Sequence, residues 1–272
     1  MYSTDKLYHS DYKLIPTDLG LSNDIYLLYY KDKKYCVRLA NNIHNEALRE
    51  NERKIQEALK GKGIDVEEVY YNEKSKIRVT KWVDSLPFEE CKDENKFERA
   101  IDLIKKFHQY APKIDTDFDL INKFRYYSSF CGEYLKNIPY ENILNDFSKL
   151  EVNTISHNDI VSGNLLLGEK DYLIDYEYAG NNVEHFDLMS FLSENKIYDE
   201  NLRKRIYKYY FNKDVDVKTL QELLVIERAQ ELLWSTWALT NYQKEKRNDY
   251  LLIARDKLQH LKELLYETHI HC

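Results

Sequence analysis

The chain predicts an α+β protein of two lobes, a small antiparallel-sheet lobe followed by a larger helical one. Three observations carry that prediction. Runs of β-branched and aromatic residues fill the first third, helical periodicity fills most of the remainder, and one short polar island interrupts the helical part. At 272 residues the chain has material for two packed lobes. Its 43% hydrophobic and 32% charged content is a globular balance rather than a disordered one. The change of character falls at Asp84, so the expected lobes are 1–84 and 85–272.

The first lobe is read as follows. Asp24–Tyr30 and Lys34–Leu39 predict two strands, with Lys31-Asp32-Lys33 as the short polar connection of a hairpin. Ile43 to Lys60 lacks strand alternation and is dense in Glu, Ala, Leu, Arg and Lys, which favours a helix ended by Gly61 and Gly63. Val66–Tyr71 and Lys76–Val83 predict two further strands around Asn72-Glu73-Lys74-Ser75.

Beyond Asp84, apolar residues recur at helical spacing in Phe97–Tyr110, Asp119–Leu135, Leu202–Phe211, Leu220–Tyr242 and Tyr250–Tyr266. The island runs from Ile155 to Gly180 and holds two strand-like pieces, Leu165–Leu167 and Tyr172–Ile174. No internal repeat or low-complexity segment interrupts this plan.

Charge and cysteine usage narrow the function classes. A formal net charge of −7, with both signs mixed along the chain, argues against nucleic-acid binding and suits attraction of small cations. Cys36, Cys91, Cys131 and Cys272 lie far apart with no CxxC or Cys/His spacing, so a reducing, cytoplasmic setting is expected. The first residues carry no apolar run behind a basic region, and no stretch has the length needed to cross a bilayer. Neither a signal peptide nor membrane insertion is expected.

The chemistry concentrates in the island. His157-Asn158-Asp159-Ile160-Val161-Ser162-Gly163-Asn164 is followed by Leu173-Ile174-Asp175-Tyr176-Glu177. Asp, Asn, Ser and Gly are individually common turn formers. An HxDxxxxN run followed by an apolar strand ending in IDxE is far harder to obtain as a turn alone. Phosphoryl transfer needs these types: a carboxylate to orient a hydroxyl and accept its proton, and hard oxygen donors for a divalent ion on the phosphates.

These two segments resemble the catalytic loop and metal segment of the choline/ethanolamine kinase family, within the aminoglycoside phosphotransferase and protein-kinase-like superfamily. The resemblance implies a two-lobed protein-kinase-like fold, with a nucleotide-binding lobe over 1–84 and the catalytic loop and acceptor pocket in 85–272. It implies ATP and Mg²⁺, Asp159 as catalytic base, and Asn164 and Asp175 as metal ligands with Glu177 beside a second metal. His157 is expected to support the loop by hydrogen bonding. Gly20-Leu21-Ser22-Asn23 looks like the family's short phosphate loop, making Gly20, Ser22 and Asn23 candidates for nucleotide binding. Arg38 resembles the basic residue that choline kinases use where protein kinases place a phosphate-binding lysine. Its acidic partner on the following helix is expected to be Glu52, with Glu46 as the alternative. Lys81-Trp82-Val83 would be the hinge offering backbone hydrogen bonds to adenine.

Two further features bear on the acceptor. Trp234 and Trp237 stand at i and i+3 and share one helix face, a spacing that core packing also produces. A quaternary ammonium donates no N–H, so its recognition needs aromatic faces and a nearby anion. Glu194 and the tryptophan pair both stand where choline kinases carry ammonium-binding residues. The resemblance therefore implies choline as acceptor. An ethanolamine or thiamine kinase, an aminoglycoside phosphotransferase and a non-catalytic nucleotide-binding scaffold are the alternatives. Asp187 is expected to buttress the catalytic loop. An oligomer is compatible with the long helices after Leu220.

Overall fold

The computed structural model describes residues 7–9, 12–17, 24–39 and 46–270. It divides into two compact units, one formed by 1–113 with 161–178 and the other by 114–160 with 179–272. The sequence placed the change at Asp84. The difference has a physical source: the helix after Asp84 packs on the second half of the polar island, and Arg99 Nε holds Asp171 Oδ2 at 2.9 Å.

The first unit is built on an antiparallel sheet. Its strands are β1 (Leu7–His9), β2 (Tyr12–Pro16), β3 (Asp24–Tyr30), β4 (Lys33–Leu39), β5 (Glu68–Asn72) and β6 (Ile77–Lys81). The order is β1-β2-β3-β4-β6-β5. The β3–β4 hairpin turns on two residues rather than three. Lys31 and Asp32 both adopt positive φ, the geometry whose twist matches a two-residue hairpin, and Lys33 joins the ladder opposite Tyr30.

Helix α1 (Glu46–Leu59) follows β4 and ends where Gly61 takes φ +74° and Gly63 φ +68°. Ile55 and Leu59 bury its apolar stripe. A second, three-stranded sheet joins β7 (Leu86–Pro87), β9 (Leu165–Leu167) and β10 (Tyr172–Leu173) in the order β10-β9-β7. Helix α2 (Lys96–Tyr110) covers it, burying Ala100, Ile101, Leu103, Ile104 and Phe107.

The second unit is mostly helical. Its one small sheet pairs β8 (Val152–Ser156) with β11 (Gly180–Val183). Around it lie α3 (Leu120–Ser128), α4 (Tyr140–Phe147), α5 (Phe186–Glu194), α6 (Glu200–Phe211), α7 (Val217–Glu245) and α8 (Asn248–Ile270). Asp119, Asp199 and Asp216 cap α3, α6 and α7 by accepting from Asn122 N, Leu202 N and Thr219 N.

The periodicity over Asp119–Leu135 had predicted one helix. The segment breaks after Ser128 and resumes as a short 3₁₀ turn at Gly132–Leu135, whose first residue takes φ +48°. Helices α3, α4 and α5 pack against α7, and α8 runs along it. Among the described residues no helix is long and apolar enough to cross a membrane.

Candidate active site

In the first unit an arginine gathers the acids. Arg38 lies on β4, where the pairing with β3 and β6 fixes its backbone opposite Ile25 and Arg78. Its guanidinium bonds Glu52 on α1 through Nη1, while Nη2 reaches Asp175 Oδ1 at 2.8 Å and Glu177 Oε2 at 3.4 Å. Glu52 is held in turn by Gln56, whose Nε2 donates at 3.0 Å. Burial alone would lower the Arg38 pKa, but the charges of Asp175 and Glu52 outweigh it and raise the pKa above the usual arginine value. Arg38 Nε is buried without a hydrogen bond among the described residues.

Asp175 and Glu177 share a face because the residue between them points the other way. Tyr176 is fully buried, stacks on Phe107 with ring centroids 5.7 Å apart, and donates its hydroxyl to Leu173 O. Asp175 itself takes φ +67°, a conformation uncommon for a side-chain-bearing residue and a place where local strain is tolerated for geometry. Asn164 stands next to this segment, its carbonyl accepting from Ile174 N at 3.0 Å.

Asp175, Glu177 and the Asn164 amide are hard oxygen donors, and one arginine nitrogen within reach of both carboxylates shows how close they lie. That set fits Mg²⁺, which takes one or two carboxylates together with phosphate oxygens. Among the described residues, no three His, Cys, Asp or Glu side chains cluster as a self-sufficient metal nest.

The remaining nucleotide candidates fare differently. Gly20, Ser22 and Asn23 lie outside the described residues, as does the side chain of Glu46. Lys81 N donates to Glu67 O at 2.9 Å and Trp82 N to Lys34 O at 3.2 Å. Those two backbone donors are committed to the sheet, which limits what Lys81 and Trp82 can offer an adenine to their carbonyls. Val83 N–H carries no hydrogen bond among the described residues.

In the second unit one buried carboxylate organises the loop that begins at His157. Asp187, fully buried at the start of α5, accepts from His157 N and Asn158 N at 2.8 Å each, one per oxygen. The buttressing expected of Asp187 is this pair of bonds. Asn158 takes φ +69°, and Asn182 Nδ2 meets its Oδ1 at 2.7 Å. His157 is buried and its Nδ1 accepts from Asp159 N at 3.3 Å. Ile160 N donates to Ser190 Oγ at 3.0 Å, and Asn195 Nδ2 donates to Ile160 O at 2.9 Å. Asp159 thus sits half-buried between backbone groups fixed on both sides.

The acceptor candidates are only partly together. Trp234 and Trp237 meet edge to face, centroids 5.9 Å apart at 87°. Phe118 extends the cluster on the Trp234 side at 6.1 Å and Tyr250 on the Trp237 side at 5.5 Å. Glu194 belongs to a different set of contacts: Lys257 Nζ lies 2.8 Å from its Oε1 and 3.5 Å from Glu231.

Sequence reasoning missed Ser190, Asn195, Tyr250, Glu231 and Lys257. A signal existed for the lysine. Ala254, Lys257, Leu258 and Leu261 follow one helical stripe, so a charge stands at a buried position.

Comparison with known proteins agrees with this layout. Protein LicA of Haemophilus influenzae is 23% identical over 267 residues, covering 90% of this chain and 79% of its own length. A probable ethanolamine kinase of Arabidopsis thaliana is 30% identical over 103 residues; the match spans 31% of this chain and only 28% of the plant protein. Among solved structures, a choline/ethanolamine kinase family protein of Mesorhizobium loti superposes with a TM-score of 0.73 at 21% identity, covering 92% of this chain and 87% of that one. Choline kinase LicA of Streptococcus pneumoniae gives 0.71 at 20% identity, covering 92% and 94%. These likenesses establish the protein-kinase-like fold. The profile of the phosphotransferase enzyme family, APH, matches residues 13–223, and the chain belongs to that family.

Proposed function

We propose that this phosphotransferase moves the γ-phosphoryl group of ATP to the hydroxyl of choline. The observation that carries the proposal is the buried charge cluster in which Arg38 links Glu52, Asp175 and Glu177. Phosphoryl transfer relies on positioning and charge stabilisation, and a basic group tied to an acidic helix partner and to metal-binding carboxylates supplies both.

Asn164, Asp175 and Glu177 would hold Mg²⁺, which when bound neutralises charge on the phosphates. Arg38 would position phosphate oxygens through its planar fork. Val83 N–H would meet adenine, and Gly20, Ser22 and Asn23 would approach the phosphates. Asp159 would orient the acceptor hydroxyl and take its proton. His157 holds the Asp159 amide, and Asp187 holds the loop that precedes it.

Trp234 and Trp237 would face the trimethylammonium with Tyr250 beside them, and Glu194 would supply the anion. The fold is shared with LicA, and one LicA structure is a complex with AMP. Cys36, Cys91 and Cys131 form no disulfide, in keeping with a cytoplasmic enzyme.

Ethanolamine is the second acceptor to weigh, on the strength of the local 30% identity to a probable ethanolamine kinase. A coupled ADP-release assay across choline, ethanolamine, thiamine and an aminoglycoside panel decides among them. The expected result is Mg²⁺-dependent release that requires an amino alcohol and is fastest per active site with choline. Release independent of any acceptor, or none at all, would count against the proposal.

A further inference from the structure

Glu194 does not close its helix in open solvent. Lys257 reaches across from α8, 2.8 Å from Glu194 Oε1 and 3.5 Å from Glu231 Oε1, and is only 8% exposed. Glu231 is fully buried on α7. The Ser193 hydroxyl donates to Glu231, and Lys257 Nζ lies 3.4 Å from the same hydroxyl. Two carboxylates therefore share one ammonium, and with both ionised the trio carries one negative charge in excess. No second cation among the described residues pairs with Glu194.

While His260 is neutral, the neighbouring ions do not make up the difference. Glu227, one turn before Glu231, is met by Arg203 through both oxygens at 2.6 and 2.8 Å. His260 adds a third contact to Glu227 at 3.0 Å. With the imidazole neutral, three carboxylates face one lysine and one arginine, so the excess is still a single negative charge. Uncompensated charge this far from water is costly, and a cation that fits beside Glu194 is favoured over a neutral or multiply charged group.

We propose that Lys257 is a specificity-determining residue: by cancelling one of the two carboxylates at the end of α5, it fits the acceptor site to a monocationic alcohol and opposes acceptors bearing two or more positive charges. The inference rests on Glu194 being the anion that meets the acceptor. Burial raises the Glu231 pKa, and the charge of Lys257 acts against that rise. The Lys257 pKa is raised as well, since Glu194 and Glu231 outweigh the burial that would lower it.

The test compares choline with a permanently dicationic alcohol carrying two trimethylammonium groups, at alkaline pH where His260 is neutral. Specificity is read as the ratio of kcat/KM for the dication to that for choline. Lys257→Met should raise the ratio by about tenfold or more, because a fixed opposing charge is removed. Lys257→Arg should keep the wild-type ratio. Lys257→Met combined with Glu231→Gln restores a single excess negative charge and should return the ratio toward wild type, which also guards against a single variant that fails to fold.

An unchanged ratio in Lys257→Met, or a double variant that stays shifted, overturns the role of Lys257 while leaving choline phosphorylation standing. A wild-type protein that phosphorylates neither alcohol overturns the functional proposal itself, and this inference with it.

Discussion

Asp159 has little freedom of its own backbone. Its amide is held by His157 Nδ1, and the next amide is held by Ser190. A carboxylate on such a segment is suited to receive a proton at a fixed point, and general-base contributions of this kind are worth roughly 10²–10⁴-fold. Asp159→Ala should therefore lower kcat by about that factor. Nucleotide affinity, measured by calorimetry on the same variant, should stay near wild type. Wild-type turnover in the variant would remove Asp159 from the mechanism.

The tryptophan pair makes a second residue-level prediction. Each ring contact with a cation contributes about 0.5 to 2 kcal/mol, so Trp237→Ala should raise KM for choline by roughly two- to thirtyfold. Ethanolamine should suffer less, because its primary ammonium can donate hydrogen bonds instead. Equal losses for both acceptors would contradict an aromatic contact with the trimethylammonium. The pairing of Arg38 with Glu52 was legible through the family resemblance, and the meeting of Trp234 with Trp237 through their i, i+3 spacing. Glu194 was legible as a carboxylate, but its lysine was not, since the pairing joins two helices distant in the chain.

At the scale of elements, the loop that carries His157 and Asp159 is held by α5, through Asp187 and Ser190. Asp187 satisfies two buried amides at once, and removing one acceptor leaves an N–H buried without a partner. Asp187→Asn should destabilise the protein by about 1–3 kcal/mol. It should also lower kcat, because the loop ahead of Asp159 loses its fixed position. Thermal unfolding and steady-state kinetics on one preparation check both. A variant with wild-type melting temperature would show that the amides find other partners.

Strands and long helices were readable from alternation and periodicity, and the stop at Gly61 and Gly63 from residue type. The break after Ser128 was not, because apolar periodicity continued across it into the 3₁₀ turn at Gly132–Leu135. Helix α4 escaped notice because its eight residues are too few to establish a period. The hinge was placed by position alone. The sheet explains why Lys81 N and Trp82 N are already in use: β6 keeps its pairing to its last residue, and Lys34 accepts from the next.

At the scale of the whole molecule, pH dependence of stability should follow the ion cluster of α6, α7 and α8. Burial of Glu227 would raise its pKa, but hydrogen bonds and charge from Arg203 and His260 win and bring it to about 2, from an ordinary 4.5. A depressed carboxylate stabilises above its unfolded pKa, and that contribution is lost as pH falls from 4.5 toward 2.

His260 runs the other way. Burial lowers its pKa, yet the Glu227 hydrogen bond and the charges of Glu231 and Glu227 raise it above 6.5. Its contribution is complete below 6.5 and fades as pH rises through the raised value. The melting temperature should therefore be highest between these limits, and Glu227→Gln should flatten both flanks. An unchanged pH profile in that variant would detach the cluster from stability.

The net charge of −7 belongs to this scale too, since it favours encounter with small cations over anionic partners. Lobe character was readable from composition. The grouping of residues 161–178 with the first unit was not, because it comes from sheet pairing and the Arg99–Asp171 contact between segments distant in the chain.

Phosphorus NMR of ATP, Mg²⁺ and choline incubated with the protein tests the proposed transfer most directly. The account predicts loss of the γ-phosphate signal, growth of ADP and one new phosphomonoester resonance that matches authentic phosphocholine and is absent with Asp159→Ala. ATP turned over only to ADP and inorganic phosphate, with no ester formed on any amino alcohol, would contradict it.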